Sequence, residues 1–441
     1  MRGLAANTQL YNHQKLGKDF ILKRKYVLIG DQPGLGKTLQ ALAALVETDK
    51  VALIICPAFL RENWKNEVDK FTNLSSRIVT SKEKYETVPD VLIVSYEGAK
   101  NVPREIPFGF IILDESHYIK NFQAKRTKSV VELVGASSPE YLIALSGTPI
   151  LNSVTEFYTI LKLLSYCPSG TNGVPIAERS QYAFSAKFSN KQTREINVPS
   201  RRGSSTVKLT EYKGVRNVDT LKNYLRGKYI RRLASKVLDL PRVTDIPLKV
   251  TAPNNRTLDA KLMAEFQNWL DSGGGKLTEH ITHLKIASAM NKVPSTAKLV
   301  IDLVEQGEQV VVFSDHRDPV QTILNSLPEN TSHEKLVGGM SSYHRQEIVE
   351  RFQAKKLQVV VCTIGAASTG ITLTSACKMV FNDLPWRPAD LEQARRRIDR
   401  ISQKRPVTIY NMIGGEFDSK LQEKLQEKMK NIGSIISGKG V

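Results

Sequence analysis

Gly30-Asp31-Gln32-Pro33-Gly34-Leu35-Gly36-Lys37-Thr38 stands between two apolar flanks: Tyr26-Val27-Leu28-Ile29 before it, and Leu39-Gln40-Ala41-Leu42-Ala43-Ala44-Leu45-Val46 after it. The first flank predicts a buried strand and the second a helix. Strand, glycine-rich turn, Lys-Thr and helix make the layout of a phosphate-binding loop. Gly34 and Gly36 let main-chain N–H groups close on phosphate oxygens, and the helix N-terminus adds a favourable dipole. Lys37 is expected to offset β/γ phosphate charge, and the Thr38 hydroxyl to ligate Mg²⁺. One position departs from the pattern. Gly-x-x-x-x-Gly-Lys-Thr asks for glycine at position 31, and the chain has Asp31.

Outward from this loop, the first half repeats one design. Val51–Cys56, Val91–Ser95, Phe110–Leu113 and Tyr141–Leu145 are further short apolar runs, separated by helical or polar segments. Such alternation predicts a parallel sheet with helices on both faces. Ligands of these sheets bind at the carboxyl ends of the strands. Each run ends in a chemically capable cluster: Cys56-Pro57, Ser95-Tyr96, Asp114-Glu115-Ser116-His117 and Ser146-Gly147-Thr148-Pro149. A carboxylate at a strand end, Asp114, is suited to hold Mg²⁺ through water. Its neighbour Glu115 is suited to take a proton from an attacking water. Upstream, Gln14 carries the paired donor and acceptor needed to read an adenine edge, although a lone glutamine is ordinarily a solvated side chain.

The second half returns to strand-like runs at Gln309–Phe313, Gln358–Cys362, Met379–Phe381 and Val407–Tyr410, with no phosphate loop of its own. Its chemical feature is Gln393-Ala394-Arg395-Arg396-Arg397-Ile398-Asp399-Arg400-Ile401-Ser402-Gln403. Read as a helix, this segment puts Gln393, Arg397 and Arg400 on one face, with Leu391, Ala394, Ile398 and Ile401 roughly opposite. Arginines on so rigid a support are suited to stabilise charge on a transferring γ-phosphoryl group. Arg395 and Arg396 are left to face nucleic acid or solvent.

Composition sets the partner class. The 441 residues suffice for two to three domains. Lys plus Arg number 63 against 44 Asp plus Glu, a net +19, which points to a polyanion, most simply nucleic acid. Cys56, Cys167, Cys362 and Cys377 lie far apart with no metal-ligand spacing; Cys56 and Cys362 sit in apolar strand-like runs and fit buried thiols, which suits a reducing compartment. No stretch resembles a signal peptide, and no apolar run is long enough to span a bilayer. The expected location is the cytoplasm of a bacterium or phage-infected cell, or a nucleus in a eukaryote.

Asp114-Glu115-Ser116-His117 followed by Ile119-Lys120-Asn121 resembles motif II of superfamily 2 helicases of the Swi/Snf type. Cys56-Pro57 with Asn63-Trp64 and Glu67 is similar to motif Ia. Leu145-Ser146-Gly147-Thr148-Pro149 with Asn152 and Glu156 is similar to motif III, and Tyr11 and Gln14 to the Q motif. The family commonly carries Asp where this chain has Asp31, although Gln32-Pro33 stands where it usually has Glu-Met. Tyr229 to Leu238 with Leu240-Pro241 resembles the stretch leading toward the second lobe, and Phe184 to Lys187 the annealing-helicase branch. In the second half, Phe313-Ser314 with His316 matches motif IV. Thr363, Gly365, Ala366, Thr369, Gly370 and Leu373 match motif V, and Arg397 and Arg400 the motif VI arginines. Asp383-Leu384-Pro385-Trp386 matches the block before motif VI.

The resemblance implies an α/β fold of two tandem RecA-like lobes sharing one nucleotide. The expected division is 1–164 as the nucleotide-binding lobe, 165–245 as insertion and linker, 246–295 as a helical protrusion, and 296–441 as the second lobe. It implies ATP and Mg²⁺ as cofactors and DNA as partner. Gln14, Asp31, Gly34, Leu35, Gly36, Lys37, Thr38, Gly370, Arg397 and Arg400 would bind nucleotide. Asn63, Trp64, Lys120, Asn121, Asn152, Arg231, Arg232, His316, Thr363 and Trp386 would face DNA. The activity implied is an ATP-dependent DNA translocase that remodels branched DNA. A duplex translocase that displaces bound proteins is the alternative motor, and a DNA-binding module with an inactive nucleotide fold is the alternative of another class.

Overall fold

The computed structural model describes residues 2–80, 87–147, 154–165, 175–200, 203–250, 260–271, 279–367 and 371–436. The chain divides into two compact units, Met1–Leu233 with Lys430–Val441, and Ala234–Met429.

In the first unit, six strands alternate with helices: β1 (Tyr26–Ile29), β2 (Ala52–Cys56), β3 (Ser76–Ile78), β4 (Val91–Ser95), β5 (Phe110–Asp114) and β6 (Tyr141–Leu145). β7 (Asn190–Ser200) and β8 (Gly203–Lys213) pair with each other as an antiparallel hairpin. β9 (Tyr229–Ile230) then joins the main sheet beside β1. The sheet order is β3-β4-β2-β5-β6-β1-β9, and every pairing is parallel. All carboxyl ends therefore lie along one edge, which collects the polar clusters that follow the strands.

Both faces of this sheet are buried, and strand alternation divides the core in two. Tyr26, Leu28, Leu53, Ile55, Leu92 and Leu113 pack on one face, and Val27, Ile29, Ala52, Ile54, Val91 and Ile112 on the other. A strand buried on both sides reads as a continuous apolar run, which is why these strands are visible in the sequence. Each such Val, Leu or Ile contributes about 1.5–3 kcal/mol on leaving water.

The second unit repeats the architecture with β10 (Val243–Lys249), β11 (Val310–Ser314), β12 (His333–Leu336), β13 (Val359–Thr363), β14 (Lys378–Phe381) and β15 (Val407–Ile413). Its order is β10-β15-β14-β11-β13-β12, again all parallel. The expected α/β class with two helix-flanked parallel sheets is what the structure shows. The helix Glu279–Glu305 makes two buried polar contacts: Lys292 to Asp418 of the helix Glu416–Ile436 at 2.7 Å, and Thr296 Oγ1 donating to Asn382 Oδ1, just after β14, at 2.7 Å.

One helix is shorter than the pattern predicts. The segment carrying Arg397 and Arg400 was expected to be helical throughout, but the helix runs only from Pro388 to Arg395 and turns follow. Gln403 explains the ending. Its side-chain amide donates to the carbonyls of Ala376 at 2.8 Å and Ile398 at 3.1 Å, holding the chain in a compact turn that a continuing helix would not permit. Cys56, Cys362 and Cys377 are free and buried, and Cys167 lies outside the described residues. No described helix is long and apolar enough to cross a membrane.

Candidate nucleotide site

The phosphate loop has the backbone its glycines permit. Gly34 and Gly36 have φ of +91° and +70°, in the left-handed region that favours glycine, and Gly36 caps the helix Lys37–Leu45. That helix presents unpaired N–H groups and its positive end to the loop. Lys37 Nζ donates to the Asp31 carbonyl at 2.9 Å. Burial pushes the Lys37 amine below its ordinary value, while Glu115, Asp31 and Asp114 pull it back up and Arg231 pushes it further down. All four groups are therefore close enough to act on one ammonium.

The Q-motif residues brace the loop. Gln14 Oε1 accepts from the Tyr11 N–H at 3.0 Å, and Gln14 Nε2 donates to the Leu35 carbonyl at 3.4 Å. His13 Nε2 lies 3.1 Å from the same carbonyl. Gln14 was expected to read a base; in this structure both ends of its amide serve the protein backbone. His13 was not foreseen, because no pattern separates a bracing histidine from any other helical one.

Asp31 is fully buried and occupies the position of the missing glycine. Its carboxylate accepts from Arg232 N at 2.9 Å, Arg232 Nε at 3.0 Å, Arg232 Nη2 at 2.6 Å and Gln40 Nε2 at 3.0 Å. The third guanidinium nitrogen, Nη1, donates to the His13 carbonyl. Arg232 was expected to face DNA; here its fork is spent on Asp31. Arg231 donates to the Gly147 carbonyl at 3.2 Å, placing it at the turn after β6 rather than on an outer face.

The carboxylate pair follows β5. Asp114 accepts the Trp64 indole N–H at 2.8 Å and the Glu115 N–H at 2.9 Å, and its carbonyl accepts the Tyr96 hydroxyl at 2.7 Å. Burial first, then the neighbouring Glu115 charge, pushes the Asp114 carboxyl up to about 6. Glu115 sits at φ +48°, a left-handed conformation costing a non-glycine residue on the order of 1–3 kcal/mol, as active-site residues often do. Its Oε2 lies 3.3 Å from His117 Nδ1, and that nitrogen lies 3.4 Å from Ser146 Oγ. Trp64 was expected on the DNA face. It is 1% exposed, because the helix Arg61–Phe71 turns Trp64 and Val68 inward and leaves Asn63 exposed.

The remaining expected residues fall in varied settings. Lys120 pairs with Glu156 at 2.9 Å, and Asn121 Oδ1 caps the Gln123 N–H at 3.0 Å. Thr363 ends β13 and is 7% exposed, and half-buried His316 precedes the helix Arg317–Asn325. Trp386 packs with Phe266 and Phe417, and buried Lys285 sits 4.7 Å over its ring while pairing with Asp315. Arg397 is 4% exposed and donates to the Ile371 carbonyl at 3.3 Å; Arg400 donates to Thr372 Oγ1 at 2.6 Å. Arg395 and Arg396, left open between DNA and solvent, instead pair with Asp245 and Asp399. Asn152, Thr148 and Gly370 lie outside the described residues.

A phosphate loop and a carboxylate pair at the ends of parallel strands, followed by a second helix-flanked parallel unit carrying an arginine segment, define the two-unit class of helicase-type fold. The chain matches the model of the SNF2-related domain over residues 13–272 and that of the helicase conserved C-terminal domain over residues 292–402. It belongs to the SNF2-related family. It is 29% identical to the "SWI/SNF-related matrix-associated actin-dependent regulator of chromatin subfamily A-like protein 1" of Xenopus tropicalis, over 97% of this chain and 45% of that protein. It is 27% identical to the "DNA annealing helicase and endonuclease ZRANB3" of Mus musculus, over 98% of this chain and 41% of that protein. The chain thus spans under half the length of these relatives. Among solved structures it is similar to the Sulfolobus solfataricus SWI2/SNF2 ATPase core in complex with dsDNA, with a TM-score of 0.44 and 24% identity, over 98% of this chain and 93% of that one.

Proposed function

We propose that this chain is an ATP-driven DNA translocase that remodels branched DNA by branch migration, fork reversal or strand annealing. The observation that carries the proposal is the convergence of Lys37, Asp114 and Glu115 at the carboxyl ends of β1 and β5. The loop's positive-φ glycines, the helix N-terminus and Lys37 make a cradle for a triphosphate. Thr38 and Asp114 would hold a magnesium ion, and a hard oxygen donor set beside a phosphate cradle fits that ion. When bound there, the ion offsets charge on the phosphate oxygens.

Each residue then has a role. Lys37 binds the phosphates. Glu115 orients water and accepts its proton, with His117 beside it. Arg397 and Arg400 supply positive charge to the transferring phosphoryl group from the second unit. Residues 1–164 hold the nucleotide, 296–441 contribute the arginines, and the segments between link and extend them. DNA is held mainly through phosphates, because a motor must run over any sequence, and the net charge of +19 supplies the attraction. The similarity to a DNA annealing helicase supports strand annealing among these activities.

The test measures ATP hydrolysis with and without duplex DNA, together with conversion of a synthetic four-way junction. The expected result is DNA-stimulated hydrolysis and ATP-dependent junction conversion, with affinity falling steeply as salt rises. Removal of a bound protein from plain duplex without junction conversion would favour the other motor. Absence of hydrolysis on every DNA would leave only a binding module.

A further inference from the structure

The segment Tyr229 to Arg232 ends the first unit, one residue before the unit boundary at Leu233. It touches the nucleotide cradle at three places. The Tyr229 ring lies against Gly30, where a Cβ would come within 2.7 Å of its hydroxyl oxygen. Arg231 holds the Gly147 carbonyl at 3.2 Å, and a Cβ on Gly147 would lie 2.7 Å from Pro33 Cγ and 3.3 Å from Lys37 Nζ. Arg232 reaches Asp31, Gln40 and the His13 carbonyl. The helix Asn12–Arg24 makes room for it at Gly17, where a Cβ would lie 2.8 Å from Arg232 Nη2. Two glycines, 17 and 30, are thus the gaps into which this strap fits.

We propose that Arg232 is a positioning residue of the nucleotide site: through its fork on buried Asp31 it fixes the phosphate loop, and it is not a DNA contact. The inference rests on the ATPase reading above. Asp31 occupies the first position of the loop, two residues after β1, and Lys37 donates to its carbonyl. The residue whose side chain Arg232 grips is therefore the residue whose main chain holds the phosphate-binding lysine. Gln40, on the helix that follows the loop, is shared by the same guanidinium at 2.8 Å, so both ends of the loop are tied to one side chain. A planar fork is required, because one nitrogen cannot reach the carboxylate, Gln40 and the His13 carbonyl together. Asp31 in place of glycine, a departure on sequence grounds, is what makes this tie possible.

The experiment compares wild type with Arg232→Lys, Asp31→Asn, Gln40→Ala and the Arg232→Lys/Asp31→Asn double variant. Thermal melting, affinity for a fluorescent ADP, affinity for duplex DNA without nucleotide, and kcat and KM for ATP are measured. In Arg232→Lys, ADP affinity is expected to fall about 10-fold, because the bidentate fork is lost while the charge remains. KM is expected to rise more than kcat falls, and DNA affinity to stay within about twofold, since the phosphate charge count is unchanged. The double variant should be no weaker for ADP than the weaker single variant, as for two residues acting through one contact. Gln40→Ala carries the test if Arg232→Lys does not fold, with a loss of about threefold expected for a single shared hydrogen bond. Unchanged ADP affinity in a folded Arg232→Lys or Gln40→Ala protein overturns the proposal. So does reduced DNA affinity with intact nucleotide binding, which would make Arg232 a DNA contact. A wild-type protein that binds no nucleotide overturns the ATPase reading itself, and this inference with it.

Discussion

Asp31 is held by a guanidinium 201 residues further along the chain, whereas Arg397 and Arg400 are held by Ile371 and Thr372, within 28 residues. The phosphate loop is tied into its unit from several elements: the first helix through His13 and Gln14, the helix after the loop through Gln40, and the segment after β9 through Arg232. Asp114 is braced in the same way, by Trp64 from one helix and Tyr96 from the turn after β4. The arginines sit on turns after a helix has ended, stabilised by Gln403 from the same turn. The loop is thus braced from several elements, with one tie spanning 201 residues, whereas the described contacts of the two arginines come from one neighbouring segment, Ile371 and Thr372. A nucleotide cradle needs that rigidity because binding charge in a fixed place requires fixed donors.

The largest effect is expected at the carboxylate pair of the first unit. Glu115→Gln keeps size and burial but removes the base. Hydrolysis should fall about 10²–10⁴-fold while ADP affinity holds, as expected for loss of general-base catalysis. Equal turnover in wild type and variant would remove Glu115 from that role.

A smaller effect lies in the pH dependence of Asp114. Its folded carboxyl is raised to about 6, by burial and then by Glu115. A raised value favours the protonated form, so this group stabilises the ligand-free protein below the unfolded carboxyl value and loses that stabilisation as pH rises through about 6. Asp114→Asn should therefore stabilise the ligand-free protein at pH 7.5 by about 1–3 kcal/mol, with the gain shrinking toward pH 4. Melting temperatures at the two pH values test this. In wild type, hydrolysis at limiting Mg²⁺ should decline below about pH 6, because a protonated Asp114 no longer offers a full charge to the ion.

The strands that could be read from the sequence are the interior ones. β1, β2, β4, β11 and β13 are buried along their whole length and appear as unbroken apolar runs. β3, β10 and β12 are edge strands with half-exposed residues, and Ser76-Arg77-Ile78 or His333-Glu334-Lys335-Leu336 carries no such run. Pairing partners, not their own composition, make them strands. In the candidate site, Lys37, Asp114 and Glu115 stood out in the sequence because each lies in a cluster that directly follows an apolar run. Arg232 and Trp64 were placed with DNA by the family resemblance and, for Arg232, by its basic cluster. Their true partners, Asp31 and Asp114, are 201 and 50 residues away, and no local pattern announces a contact across a fold. The helix expected past Arg395 failed for the reverse reason. Periodicity continued, but Gln403 offered the carbonyls a competing set of hydrogen bonds.

On the proposed function, the phosphate loop holds the nucleotide and Arg397 and Arg400 act mainly on its turnover. Single-turnover ATP hydrolysis and ADP affinity, measured together on Arg397→Ala and Arg400→Ala in the presence of duplex DNA, test it most directly. ADP affinity is expected to stay within about threefold of wild type while the hydrolysis rate falls by about 10³-fold or more, the range of arginine fingers elsewhere. Wild-type hydrolysis in both variants, or affinity lost in step with rate, would contradict it.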